Sequence, residues 1–182
     1  MAKGPILIIS GTNRPESNAL KVASLVRGHY QRAKVAVDFY SLAEMPREIF
    51  DATSYATKPP AWAAVQQRIV DAGGLHLITP EYNGSFPGVL KYFIDMLKFP
   101  ESFEHKPVAF VGEAAGIWGA IRAVEQLQHI FGYRNAHVFP DRVFIPGIGQ
   151  KLDAQGKLTD ASIDDRLAKQ ATGFAEFVRR FN

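Results

Sequence analysis

Short apolar runs alternate with longer segments whose apolar positions recur every three to four residues, and this alternation organises the chain. Ile6-Leu7-Ile8-Ile9-Ser10 is continuous and β-branched, the pattern of a strand buried on both faces of a parallel sheet. From Asn18 to Arg32 the residues Leu20, Val22, Ala23, Leu25 and Val26 fall at helical spacing, and Val35 to Tyr40 follows as a second strand. After a loop rich in Pro and Thr, Met45 to Pro60, the pattern predicts a helix over Trp62 to Ala72, a stop at Gly73-Gly74 and a third strand over Leu75 to Thr79. A helix over Val89 to Lys98, a fourth strand over Pro107 to Val111 and a helix over Trp118 to Phe131 come next. A fifth strand lies within Ala136 to Phe144, interrupted by Pro140, and an amphipathic helix runs over Ile163 to Phe181. Five strands alternating with helices predict a doubly wound α/β fold with a parallel sheet and right-handed crossovers. No repeat is visible, and the loop-like stretches Met45 to Pro60 and Pro146 to Thr159 are too short for interdomain linkers. We therefore expect one domain over residues 1–182.

Composition narrows the chemistry. With 182 residues and 47% hydrophobic content, the chain can bury one substantial core. It has no apolar run near the ~18 residues of a membrane span. Its start, Met1-Ala2-Lys3-Gly4-Pro5, leads straight into the first strand without an export signal, so a cytoplasmic protein with no membrane association is expected. The absence of cysteine excludes disulfides, thiolate metal sites and a cysteine nucleophile, so any redox chemistry must come from a bound cofactor. Lys plus Arg exceed Asp plus Glu by 21 to 18, but the basic residues are scattered, which reads as a solvated surface and not as a nucleic-acid stripe. The five histidines include no pair at metal-ligand spacing: His76 falls in a predicted core strand, His129 in a helix and the others near segment ends. No metal site is expected. Trp118 and Phe131 read as core or subunit packing, although Trp118 is near enough to the loop after the fourth strand to line a pocket there.

In an open parallel sheet, ligands collect beyond the carboxyl ends of the strands, which directs attention to three loops. The first, Ser10-Gly11-Thr12-Asn13-Arg14-Pro15-Glu16-Ser17-Asn18, places hydroxyls, amides and an arginine before a helix N-terminus, a setting that attracts phosphate. Ser17 or Asn18 could serve only as an N-cap, but Thr12 and Arg14 are then unexplained. The loop lacks both G-x-G-x-x-G and G-K-[ST], so a dinucleotide fold or P-loop is a poor match. The second, Pro80-Glu81-Tyr82-Asn83-Gly84-Ser85-Phe86-Pro87-Gly88, combines two prolines that fix φ, two glycines that permit close approach and an aromatic face. It suits a flat ring held by backbone amides. The third, Gly112 to Gly119, is rich in small residues, equally consistent with admitting a planar ligand and with close helix–sheet packing.

With these loops in place, the chain resembles the NAD(P)H-dependent FMN reductases, a family of quinone, chromate and azo-dye reductases with a flavodoxin-like, three-layer α/β/α fold. The resemblance covers nearly the whole chain from Ile6. It is carried by Gly11-Thr12-Asn13-Arg14-Pro15-Glu16-Ser17 for the motif G-[ST]-x-R-x-x-S, and by Pro80 to Lys91 for P-E-Y-N-x-x-x-P-G-x-L-K. It implies that Thr12, Arg14, Ser17 and Asn18 hold the FMN phosphate, with Gly11 also at the cofactor, and that Pro80, Glu81, Tyr82, Asn83 and Gly84 frame the isoalloxazine, with Ala115 and Gly116 nearby on the third loop. That loop departs from the family, carrying Glu113-Ala114-Ala115 where many relatives have serine or glycines.

The implied activity is hydride transfer from NADPH or NADH to non-covalently bound FMN and on to quinones, free flavin, azo dyes or chromate by a ping-pong route. The flavin N5 would carry the chemistry and no catalytic side chain would be needed. Backbone amides around Tyr82 to Gly84 would hydrogen-bond the pyrimidine edge. A homodimer or homotetramer is implied, with the helix over Val89 to Lys98 a candidate contact. The alternatives are a flavodoxin-type electron carrier, disfavoured by a basic pI near 9.2, and a flavin-free binding protein of the same fold.

Overall fold

The apolar runs come together as one parallel sheet in a computed structural model that describes residues 4–181. β1 (Ile6–Ser10) lies between β2 (Val37–Ser41) and β3 (Gly74–Pro80), and β4 (Pro107–Ala114) lies beyond β3. Two short strands, β5 (His137–Val138) and β6 (Val143–Pro146), pair in succession with β4, completing the flavodoxin order 2-1-3-4-5. β1, β3 and β4 are buried along their whole lengths, which is why their sequences run apolar without alternating. Alternate residues nevertheless serve opposite faces. Leu7, Ile9, Leu75, Leu77 and Phe110 pack under α2 (Trp62–Asp71), α3 (Gly88–Met96) and α4 (Ile121–Tyr133). Ile6, Ile8, Ile78, Ala109 and Val111 pack under α1 (Asn18–Arg32) and α6 (Ala161–Arg179).

Two departures from the sequence reading have physical causes. β4 runs three residues past Val111, through Gly112-Glu113-Ala114, because its ladder continues to Pro80 on one side and to Ile145 and Pro146 on the other. A glutamate there hides the strand from any hydrophobic pattern. The fifth strand is divided around Pro140, which has no N–H to donate, and its second part ends at Pro146 and not at Phe144. The stripe of α3, with Leu90, Phe93, Ile94 and Met96, faces the core of its own chain. The loop over Met45 to Pro60 coils into three short 3₁₀ turns.

One polar cluster crosses the core beneath α1 and α6. Gln170 uses its amide nitrogen to donate to the carbonyls of Phe110 and Asp141, both at 2.9 Å. Its Oε1 is therefore left to accept from His76 Nε2 at 3.2 Å, so His76 Nδ1 accepts the Tyr30 hydroxyl at 2.8 Å. Burial holds the His76 imidazole neutral, depressing its pKa to about 4, and pushes the Tyr30 phenol well up. The cluster joins α1, β3, β4 and α6 without an unpaired side-chain atom.

Candidate functional site

The strand order reverses between β1 and β3, and a crevice of about 530 Å³ opens at their carboxyl ends. Arg14, Ser17 and Asn18 line it from the β1 loop, and Pro80, Glu81 and Tyr82 from the β3 loop. Glu113 to Ala115 contribute from β4 and its exit, and Ile148 and Gly149 from α5 (Ile148–Lys151). The volume falls in the range of sites for drug-sized ligands, roughly 300 to 1,000 Å³.

The β1 loop is held open by its own hydrogen bonds. Gly11 donates to the carbonyl of Ile78 at 2.8 Å, and a Cβ at Gly11 would meet that oxygen at the same distance, so only glycine lets the loop hug β3. Thr12 is buried and its Oγ1 accepts from the Arg14 amide at 3.2 Å while bonding the Tyr82 hydroxyl at 3.1 Å. Thr12 thus braces two lining residues from behind. Ser17 caps α1, its Oγ accepting from Leu20 N at 3.1 Å, and the first turn of α1 carries no acidic residue. The cap role and the lining role coexist in Ser17.

The β3 loop is a tight hairpin. Tyr82 N donates to Ser85 O at 2.8 Å and Ser85 N returns to Tyr82 O at 3.1 Å, with Asn83 and Gly84 between them at φ 53° and 77°. Asn-Gly is the preferred pair for such a two-residue turn. The amide of Glu81 is also engaged, donating to Glu113 O at 3.0 Å. Of the amides expected to face a ligand, those of Asn83 and Gly84 remain without a protein acceptor among the described residues, whereas that of Tyr82 is used by the turn. Asn83 and Gly84, like Gly11, Thr12 and Gly116, do not line the crevice itself. At its rim, Arg122 lies 3.8 Å from Glu81 and over the Trp118 ring. Trp118 is 57% exposed, so it belongs to the rim, while Phe131 is core.

The small residues after β4 divide between the two roles open in the sequence. Added Cβ atoms at Gly112 and Gly119 would meet backbone or Ala120 within 3 Å, so these glycines serve packing, whereas Gly116 faces open space. Glu113 is the least expected member of the site. It is 5% exposed and shares a sheet face with Ala109 and Val111, under α1. Burial raises its carboxyl to about 7, opposed by a hydrogen bond from the Ala19 amide and by the charge of Arg14. Two further polar atoms, Ser10 Oγ at the end of β1 and Glu81 Oε2, are buried without partners. The contribution of α5 was invisible in the sequence except as a Gly147-Ile148-Gly149 turn following a strand.

No helix among the described residues is long and apolar enough to cross a membrane, and none of their acidic and histidine side chains cluster to hold a metal. A family model described as NADPH-dependent FMN reductase matches residues 5–150. The chain is 34% identical over 144 residues to a quinone reductase of Escherichia coli, covering 77% of each protein. It is 34% identical over 125 residues to an NAD(P)H-dependent FMN reductase of Pseudomonas aeruginosa, covering 67% of this chain and 68% of that one. Among solved structures, a flavoenzyme NAD(P)H:(acceptor) oxidoreductase from Paracoccus denitrificans superposes with a TM-score of 0.77 at 21% identity, covering 98% of both chains.

Proposed function

Because the chain belongs to the NADPH-dependent FMN reductase family, we propose that it oxidises NAD(P)H and reduces small-molecule acceptors, quinones first among them, by a ping-pong route. The carrying observation is that the β1 and β3 loops, 70 residues apart at Thr12 and Tyr82, are bonded to each other across one crevice.

The residues fit FMN at both ends. Toward α1 stand the Arg14 guanidinium, the Ser17 hydroxyl, the Asn18 amide and a helix N-terminus, a donor set for a phosphate. Arg14 would grip it with a two-pronged fork that lysine lacks. Toward β3, Pro80 and Tyr82 offer a flat wall, and the free amides of Asn83 and Gly84, beyond that wall in the same hairpin, would donate to a ring edge that reaches past it. FMN, when bound, supplies the redox chemistry, two-electron uptake from NAD(P)H and delivery to the acceptor. Thr12 bonds the Arg14 backbone amide and the Tyr82 hydroxyl, so the loop carrying the phosphate end is tied to the ring end. In this reading the nicotinamide and the acceptor use the same open face in turn, beside the exposed Trp118. In this reading the whole chain acts as one unit, since α6 shares its core with β1.

The test is anaerobic mixing of the FMN-loaded protein with NADH and with NADPH, followed by a panel of quinones, free flavin, azo dyes and chromate. Bleaching by a nicotinamide, recovery by a quinone and parallel double-reciprocal lines are expected. A flavin that nicotinamides leave yellow would make the protein an electron carrier, and failure to take up FMN would make it a flavin-free binder.

A further inference from the structure

Within the crevice one cation meets three carboxylates: Arg14 and Glu16 come from the β1 loop, Glu81 from the β3 loop and Glu113 from β4, with Tyr82 the other titratable group and none from α5. The carboxylates oppose the phosphate that Arg14 and the start of α1 would draw. Glu16 is exposed, and Glu81 faces Arg122 at the rim. Glu113 is the buried one, fixed by its strand: its carbonyl accepts from Glu81 N, and the ladder to Pro80 and Ile145 locks the backbone on both sides. Its carboxyl reaches the Ala19 amide in the first turn of α1, within the field of Arg14. The Ala19 amide and the Arg14 charge favour a carboxylate there as they would a phosphate, but for Glu113 burial outweighs them.

We infer that Glu113 is the chain's own occupant of the anion cradle, so that a phosphate monoester enters at the start of α1 only when the Glu113 carboxylate takes up a proton. The inference rests on the crevice being the FMN site. Glu113 is then an affinity-determining residue: it lowers the hold on FMN at alkaline pH and leaves riboflavin, which has no phosphate, unaffected. The coupled step is balanced by one proton. Apo-protein with ionised Glu113 plus FMN plus H⁺ gives complex with neutral Glu113. Its carboxyl titrates in the physiological range because burial raises it to about 7.

Calorimetric titration of the apo-protein with FMN at pH 8, in two buffers of different ionisation enthalpy, reads the proton directly. Close to one proton taken up per FMN is expected for the parent, with the dissociation constant rising about tenfold per pH unit above 7. Glu113→Gln is expected to bind FMN about tenfold more tightly than the parent at pH 8 and to lose that proton, and Glu113→Ser to do the same. Riboflavin should bind parent and variants alike. Equal FMN affinity and equal proton uptake in parent and both variants, with FMN still preferred to riboflavin, would overturn the role of Glu113 while sparing the site. FMN and riboflavin binding with equal affinity throughout would sink the phosphate cradle itself.

Discussion

His76 and Glu113 stand on adjacent strands, point to the same face of the sheet and are both withdrawn from water, at 0% and 5% exposure. His76 has a partner on each ring nitrogen, and the partners are themselves satisfied, so the cluster is closed. Glu113 shares a cavity with a cation, two other carboxylates and a helix start. Depth of burial therefore does not separate architecture from function in this molecule. What separates them is whether the protein supplies every partner or leaves a place for something else.

That contrast predicts a double dissociation. The largest effect should come from opening the closed cluster. His76→Val strands the Tyr30 hydroxyl and Gln170 Oε1, and should lower stability by about 3 kcal/mol in a denaturant titration, with FMN affinity in the folded fraction unchanged. Arg14→Ala should do the reverse, weakening FMN by roughly 30-fold, about 2 kcal/mol, in a fluorescence titration while leaving apo-protein stability intact. A stability loss in the second variant matching the first would erase the distinction.

Acid titration of the apo-protein separates the two groups by sign. His76 is depressed from 6.5 to about 4, so the unfolded chain protonates first and stability falls as pH drops from 6.5 toward 4. Glu113 is raised from 4.5 to about 7, so the folded chain holds the extra proton and stability falls as pH climbs from 4.5 toward 7. Between 4.5 and 6.5 the slopes oppose. Glu113→Gln removes one of them, and the variant should then lose about 1.4 kcal/mol per pH unit of acidification across that window, measured by urea midpoints.

Smaller effects belong to the β3 loop. Gly84 sits at φ 77° with open space where a Cβ would go, so Gly84→Ala carries only the left-handed penalty of about 1 kcal/mol, expressed as weaker FMN binding through a displaced turn. Glu81→Gln should change FMN affinity by less than about twofold. Its approach to Arg122 at 3.8 Å is loose and its Oε2 has no partner to lose.

The sheet and its helices were legible because burial on two faces writes unbroken apolar runs into β1 and β3, and one-sided burial writes a helical period into α1 and α6. The β1 and β3 loops were legible as parts of one crevice because they hold residues that a turn alone does not need. The end of β4 was not, since a strand residue that faces a cavity is polar and reads as loop, which is how Glu113 escaped the strand assignment. Nor was the role of Thr12 legible as a brace: its partner Tyr82 arrives only when β1 and β3 pair. The Asn83-Gly84 hairpin leaves a signal in the sequence, the dipeptide itself, whose first role is to close a two-residue turn.

The crystal structure of the protein with FMN tests the central claim most directly. The phosphate should lie within about 3 Å of donors from Arg14 and Ser17, with the ring against Pro80 and Tyr82 and the tyrosine still bonded to Thr12. A flavin seated instead in the hollow of about 390 Å³ beside Asp38, Arg68 and Asp71, or a phosphate far from the start of α1, would contradict the account.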